Sequence, residues 1–180
     1  MTFPKRYADA VARLRVPSGF LLVAAFAWFA QPTPRSLALG VPVSVLGLAL
    51  RAWAAGHLAK NRQLATSGPY AFVRNPLYVG TLVVAAGVVI AAREPELAVL
   101  FAAVFFGVYL PVIELEEQHL RNLFPEYRDY ALRVPALWPR WPREPSSEPF
   151  RASLYLKNQE YQALAGYGAG LLWLCWRVWG

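Results

Sequence analysis

Thr66-Ser67-Gly68-Pro69-Tyr70-Ala71-Phe72-Val73-Arg74-Asn75-Pro76-Leu77-Tyr78-Val79-Gly80 is the stretch that decides the fold. Two turn signals, Gly68-Pro69 and Asn75-Pro76, frame a tyrosine and an arginine, and residues 77–92 then form a run apolar enough for hydrocarbon. Arg74 and Asn75 therefore fall where a membrane helix meets water. An ionisable side chain held at that boundary marks a functional site.

Working outward, four more apolar segments are read at 16–30, 37–58, 97–113 and 163–178. Several are shorter than the roughly 20 residues of an average span, which implies helices packed against one another. With 57% hydrophobic residues, seven tryptophans and a mean hydropathy of +0.31, the chain is expected to be an all-α polytopic membrane bundle. About five transmembrane helices are predicted, in one domain over 1–180, with core motifs in 52–139 and a cytoplasmic cap. The net charge of +7 and pI near 9.9 do not point to nucleic acid, because the basic residues are dispersed between apolar runs. Cys175 is the only cysteine, so no disulfide forms within one chain, and its apolar surroundings predict an inert thiol. The first segment has signal-peptide features, with Lys5, Arg6, Arg13 and Arg15 before it and Ala25-Phe26-Ala27 inside it, yet it reads as a span because the topology uses it.

Positive charge predicts the orientation. With a cytoplasmic N-terminus, every Lys and Arg falls inside except Arg35, Arg93 and Arg177 outside and Arg51 within the second span. The expected location is integral to a membrane, in a prokaryote the cytoplasmic one, with the N-terminus and active site facing the cytoplasm. The predicted outer loops, 31–36 and 93–96, are minimal, whereas the inner side holds 59–76 and 114–157. A helix is expected to continue from the fourth span across 114–130, with Leu120, Leu123, Phe124 and Tyr127 at helical spacing. Pro135, Pro139 and Pro142 rule out regular helix over 134–142, where Trp138 and Trp141 suit interfacial anchors. Residues 143–149 read as a connector.

No Walker-type phosphate loop, dinucleotide-binding glycine motif, nucleophile elbow or metal-spaced His/Cys cluster is present, so no metal is expected. His57 and His119 each stand alone near a helix end and read as structural hydrogen-bonding groups. Two clusters remain. One is Gly68-Pro69-Tyr70 with Arg74-Asn75-Pro76-Leu77-Tyr78; the other is Glu114, Glu116 and Glu117 at the inner end of the fourth span. The third and fourth spans form a hairpin, so these clusters meet at adjacent inner ends. A guanidinium and carboxylates facing one cavity suit a zwitterion, such as an amino acid or a cofactor that carries one. By residue type alone, a plainer arrangement in which Arg and Glu at helix ends pair with each other is the better fit. Tyr70 and Tyr78 equally suit an aromatic belt, and Arg51 suits snorkelling or neutralising Glu114.

The ordered series Gly68-Pro69-Tyr70, Arg74-Asn75-Pro76-Leu77-Tyr78-Val79-Gly80, Glu116-Glu117, Leu120, Phe124, Tyr127, Tyr130 and Val134-Pro135 resembles the isoprenylcysteine carboxyl methyltransferase family. That family is related to the membrane phospholipid N-methyltransferases. The resemblance covers about 52–139 and implies a membrane-embedded methyltransferase using S-adenosylmethionine. It implies cofactor contacts from Leu64, Gly68, Pro69, Tyr70, Arg74, Asn75, Tyr78 and Glu117, and catalytic roles for Arg74 and Glu116. In this scheme Arg74 takes the cofactor carboxylate and Glu117 its ammonium, while Glu116 faces a second partner such as Arg51 or a loop amide. The implied acceptor is a lipophilic small molecule or prenylated substrate, with a carboxylate or an aminolipid amine as the nucleophile, entering from the lipid bilayer. Where isoprenylcysteine enzymes have Arg-His-Pro, this chain has Arg74-Asn75-Pro76, and asparagine hydrogen-bonds without titrating. Two alternatives remain. One is a nicotinamide-dependent reductase of the sterol type, whose pyrophosphate the glutamates would repel; the other is a non-enzymatic membrane scaffold.

Overall fold

The computed structural model describes residues 5–142 and 148–180, and the regular elements among them are all helical. In chain order they are α1 (Lys5–Ala12), α2 (Arg15–Phe29), α3 (Pro34–Ala55), a 3₁₀ turn (Gly68–Ala71), α4 (Pro76–Ala92), α5 (Pro95–Val104), a π-helical turn (Phe105–Tyr109), α6 (Leu110–Leu123), α7 (Tyr127–Arg133), α8 (Ala152–Lys157) and α9 (Tyr161–Trp179). Pro34, Pro76 and Pro95 each occupy a first helical turn, where the missing N–H costs nothing. Thr33 and Ser36 form a reciprocal cap on α3, and the Ser36 hydroxyl also donates to the Ala91 carbonyl at 2.8 Å, tying the start of α3 to the end of α4.

Helices α3 and α4 form the antiparallel spine of the bundle, with Gly40, Ser44 and Gly47 facing Gly80, Val84 and Gly87. A Cβ on Gly47 would lie 2.6 Å from the Val84 nitrogen, so only a small residue allows this approach. The Ser44 hydroxyl donates to the Val84 carbonyl at 3.1 Å across the contact. Helices α5 and α6 run as one 29-residue helix through the π turn. Pro111 lies just beyond that turn and has no N–H for the Gly107 carbonyl, which instead accepts the Tyr7 hydroxyl at 2.8 Å.

Two helices among the described residues have the length and composition to cross a bilayer: Pro34–Ala55, mean hydropathy 1.7, and Pro95–Leu123, mean hydropathy 2.2. Val16–Phe29 and Pro76–Ala92 are shorter apolar helices. Phe20, Trp28, Leu39, Leu46, Val99 and Leu172 point outward and are exposed, which suits hydrocarbon surroundings and not water. Helix α9 closes the bundle through Leu174, which packs with Ala30, Leu37, Ala91, Ala92 and Leu97.

One helix expectation is corrected. The predicted helix over 114–130 breaks after Leu123: Phe124 is extended (φ −124°, ψ 107°), and helix resumes only at Tyr127. Pro125 disfavours helical backbone in the residue before it. Residues 134–142 are non-helical, as three prolines predict, and Trp138 and Trp141 are exposed, with Trp141 edge-on to Phe72 at 5.5 Å. Residues 143–147 of the expected connector lie outside the described residues, as do the side chains of Lys5, Arg6 and Arg15 and all of Arg143, which enter the charge argument.

Candidate functional site

The loop between α3 and α4 is built on Gly68, whose φ of +56° and close approach to the His57 ring exclude a side chain. His57 Nδ1 lies 3.0 Å from the Ser67 hydroxyl. Burial lowers its pKa below the ordinary value, with Glu148 acting to raise it and Arg151 to lower it.

Arg74 is clamped at the end of this loop. Its Nε and Nη2 each donate to a Glu117 carboxylate oxygen at 3.0 Å, and its Nη1 donates to the carbonyls of Ala131 and Val134 at 2.8 and 2.9 Å. Both side chains are nearly buried, with Arg74 13% and Glu117 10% exposed. A planar guanidinium matches a carboxylate in this two-point geometry and also satisfies carbonyls at the C-terminal end of α7. Asn75 continues the clamp, since its Nδ2 donates to Glu117 at 3.0 Å and to the Ala136 carbonyl at 3.2 Å. The backbone N–H groups of Arg74 and Asn75 bond the carbonyls of Pro135 and Ala136. Together these bonds join the α4 entry loop, α6 and the 134–136 segment into one block.

Beside this block lies a cavity of about 920 Å³, within the range of small-molecule sites. Among the sequence-predicted residues, Leu64, Tyr70, Arg74, Asn75, Tyr78 and Glu116 line it, whereas Gly68, Pro69 and Glu117 do not. Arg74 and Glu117, expected to grip opposite ends of a zwitterion, are therefore bonded to each other. Glu116 is the carboxylate of the pair that borders the cavity. Lys60 and His119 add polar character, and Leu115, Leu120 and Phe124 supply apolar wall. Burial pushes the Tyr70, Tyr127 and Tyr130 hydroxyls well above their usual pKa, so all three stay neutral at physiological pH. The Tyr130 hydroxyl donates to the Tyr70 carbonyl at 2.8 Å, fixing the turn beneath the cavity.

Arg51 is held differently from the expectation that it neutralises Glu114 or meets Glu116. Its Nε and Nη2 donate to the Glu160 carboxylate at 2.6 and 3.1 Å, and its Nη1 to the Leu77 carbonyl at 3.3 Å. Asn158, Gln159 and Glu160 thus form part of the cavity wall, although they lie more than a hundred residues from Arg51. Asn158 also donates to the Ala55 and Leu58 carbonyls at the end of α3, both at 2.9 Å. Their one signal in the sequence is a polar triplet at the entrance to the last apolar segment. Among the described residues, no group of three or more His, Cys, Asp or Glu is placed to hold a metal.

Fold and site define a helical membrane protein with a mixed polar and apolar cavity at the end of its bundle. Residues 41–127, just under half of the chain, match the phospholipid methyltransferase family. It is similar to the cobalt-zinc-cadmium resistance protein CzcN of Cupriavidus metallidurans, 38% identical over 104 residues, 57% of this chain and 47% of that one. It is also similar to protein-S-isoprenylcysteine O-methyltransferase B of Arabidopsis thaliana, 34% identical over 54% of this chain and 56% of that one. The corresponding methyltransferase of Schizosaccharomyces pombe is 28% identical over 73% of this chain and 58% of that one. The chain spans about half the length of the curated relatives it matches. No solved structure matches it significantly.

Proposed function

We propose that the chain is an S-adenosylmethionine-dependent membrane methyltransferase that acts on a lipophilic acceptor, with about five spans and its site on the cytoplasmic side. The observation that carries it is the 920 Å³ cavity, bordered by most of the sequence-predicted residues and lined for the larger part by the segment that matches the family. Its lining suits the cofactor: Glu116 to accept from an ammonium, Arg74 and Lys60 to donate to a carboxylate, and Leu64, Leu120 and Phe124 for an adenine face. Tyr78 and Tyr109, edge to face at 6.3 Å, suit the sulfonium by cation–π attraction.

When bound, S-adenosylmethionine supplies a methyl group already activated by a positive sulfur and a neutral thioether leaving group. The residues around it therefore need to align and exclude water more than to move protons. A carboxylate acceptor needs no base. An amine acceptor must arrive unprotonated, a state that burial favours and that the Glu116 carboxylate disfavours.

The test is transfer of a labelled methyl group to a prenylcysteine and to an aminolipid, each compared with its water-soluble head group. Transfer to a long-tailed acceptor and little to its head group is expected, since each buried methylene contributes about 0.8 kcal/mol. Equal turnover of tailed and truncated acceptors would contradict a lipophilic substrate.

A further inference from the structure

A second cavity, of about 620 Å³, lies beside the first, between α2, α3, α4, α5 and α9. Leu22, Phe26, Leu48, Val88, Phe101 and Leu171 represent its wall, and Arg51 is the one charged residue that lines it. Arg51, Thr81, Tyr109 and Ala163 border both cavities. The apolar space therefore adjoins the polar one where the Arg51–Glu160 pair sits. Helix α9 contributes a large part of this wall, yet it lies well beyond residue 127, where the family match ends.

From this we infer that the apolar cavity binds the single hydrocarbon tail of the methyl acceptor, that its polar head lies toward Arg51 and Tyr109, and that α9 sets the length of tail accommodated. The inference rests on the methyltransferase reading of the adjoining polar cavity. The shared wall of the two cavities argues for an amphiphile, because a ligand reaching both needs an apolar chain on one side of Arg51 and a polar group on the other. Gly166 and Gly170 line the apolar cavity, and a Cβ on either meets nothing within 4 Å. A larger side chain there grows into the cavity. Gly168 has equally open surroundings but does not line the cavity, which makes it an internal control on the same helix.

The probe is palmitic acid with a diazirine at its tail end, photolysed on the full chain in phosphatidylcholine nanodiscs, with labelled residues located by peptide mass spectrometry. Crosslinks are expected in α9 and α2 at residues bordering the cavity. Gly170→Leu and Gly166→Leu should each lower labelling about tenfold or more, because each methylene displaced is worth about fourfold in affinity. Gly168→Leu should leave it unchanged; all three substitutions favour helix, and S-adenosylhomocysteine binding monitored in each reports an intact fold. Equal labelling of all three variants would overturn the inference. So would labelling spread over lipid-facing Phe20, Val99 and Leu172, the mark of ordinary bilayer contact. If labelling is localised but the wild-type chain does not bind S-adenosylhomocysteine, the tail site stands and the cofactor reading fails.

Discussion

Arg74 donates to Glu117 and to two main-chain carbonyls, so its first effect is on stability. Truncating it leaves the nearly buried carboxylate with only the half-exposed Arg121, at 3.6 Å, as its cation, a loss near the lower end of about 3–5 kcal/mol. Arg74→Ala should therefore shift denaturant unfolding in detergent micelles by that amount; an equally stable variant would contradict the clamp. Glu117 and Glu116 should separate by assay. Glu117→Gln should chiefly lower stability, since it weakens the bonds to Arg74 and Asn75. Glu116→Gln should weaken S-adenosylhomocysteine binding by about 1.5–3 kcal/mol, the range for charged hydrogen bonds. Isothermal titration beside thermal unfolding checks both, and the opposite assignment would show that Glu116 does not meet the ligand. The residue types at 74 and 117 are legible in the sequence as one constellation. Pairing of Arg with Glu is one of the two arrangements those residue types suit, and the structure adopts it; the choice is not local, because partners 43 positions apart are set by how the α4 and α5–α6 hairpin closes.

At the scale of elements, the helix starts are legible because proline at a first turn leaves a local signal, as at Pro34, Pro76 and Pro95. The break at Phe124-Pro125 carries an equally local signal, which the apolar periodicity of Leu120, Leu123, Phe124 and Tyr127 masks. The His57–Gly68 loop carries a pH dependence. Burial depresses the folded-state pKa of His57 below its unfolded value of 6.5, so the neutral ring favours folding. Its contribution is fully present above that value and is lost as pH falls from it through the folded-state pKa. The midpoint of thermal unfolding should therefore decline from pH 7.5 toward pH 5.5, and His57→Gln should flatten that slope. An unchanged slope in the variant would place the titrating group elsewhere.

For the whole molecule, apolar runs and dispersed charge are enough to reveal a helical membrane bundle, because bilayer thickness imposes itself on local composition. The part played by α8 and α9 is hidden. Glu160 reaches Arg51, and Asn158 caps α3, through contacts that span the length of the chain. Polar and apolar cavities consequently share a wall made from both ends of the sequence. The measurement that bears most directly on the central claim is isothermal titration of the detergent-purified chain with S-adenosylhomocysteine and, separately, with a reduced nicotinamide dinucleotide. Saturable binding of one S-adenosylhomocysteine per chain, with no heat from the dinucleotide, is the predicted result. Binding of the dinucleotide in its place, or of neither ligand, would contradict it.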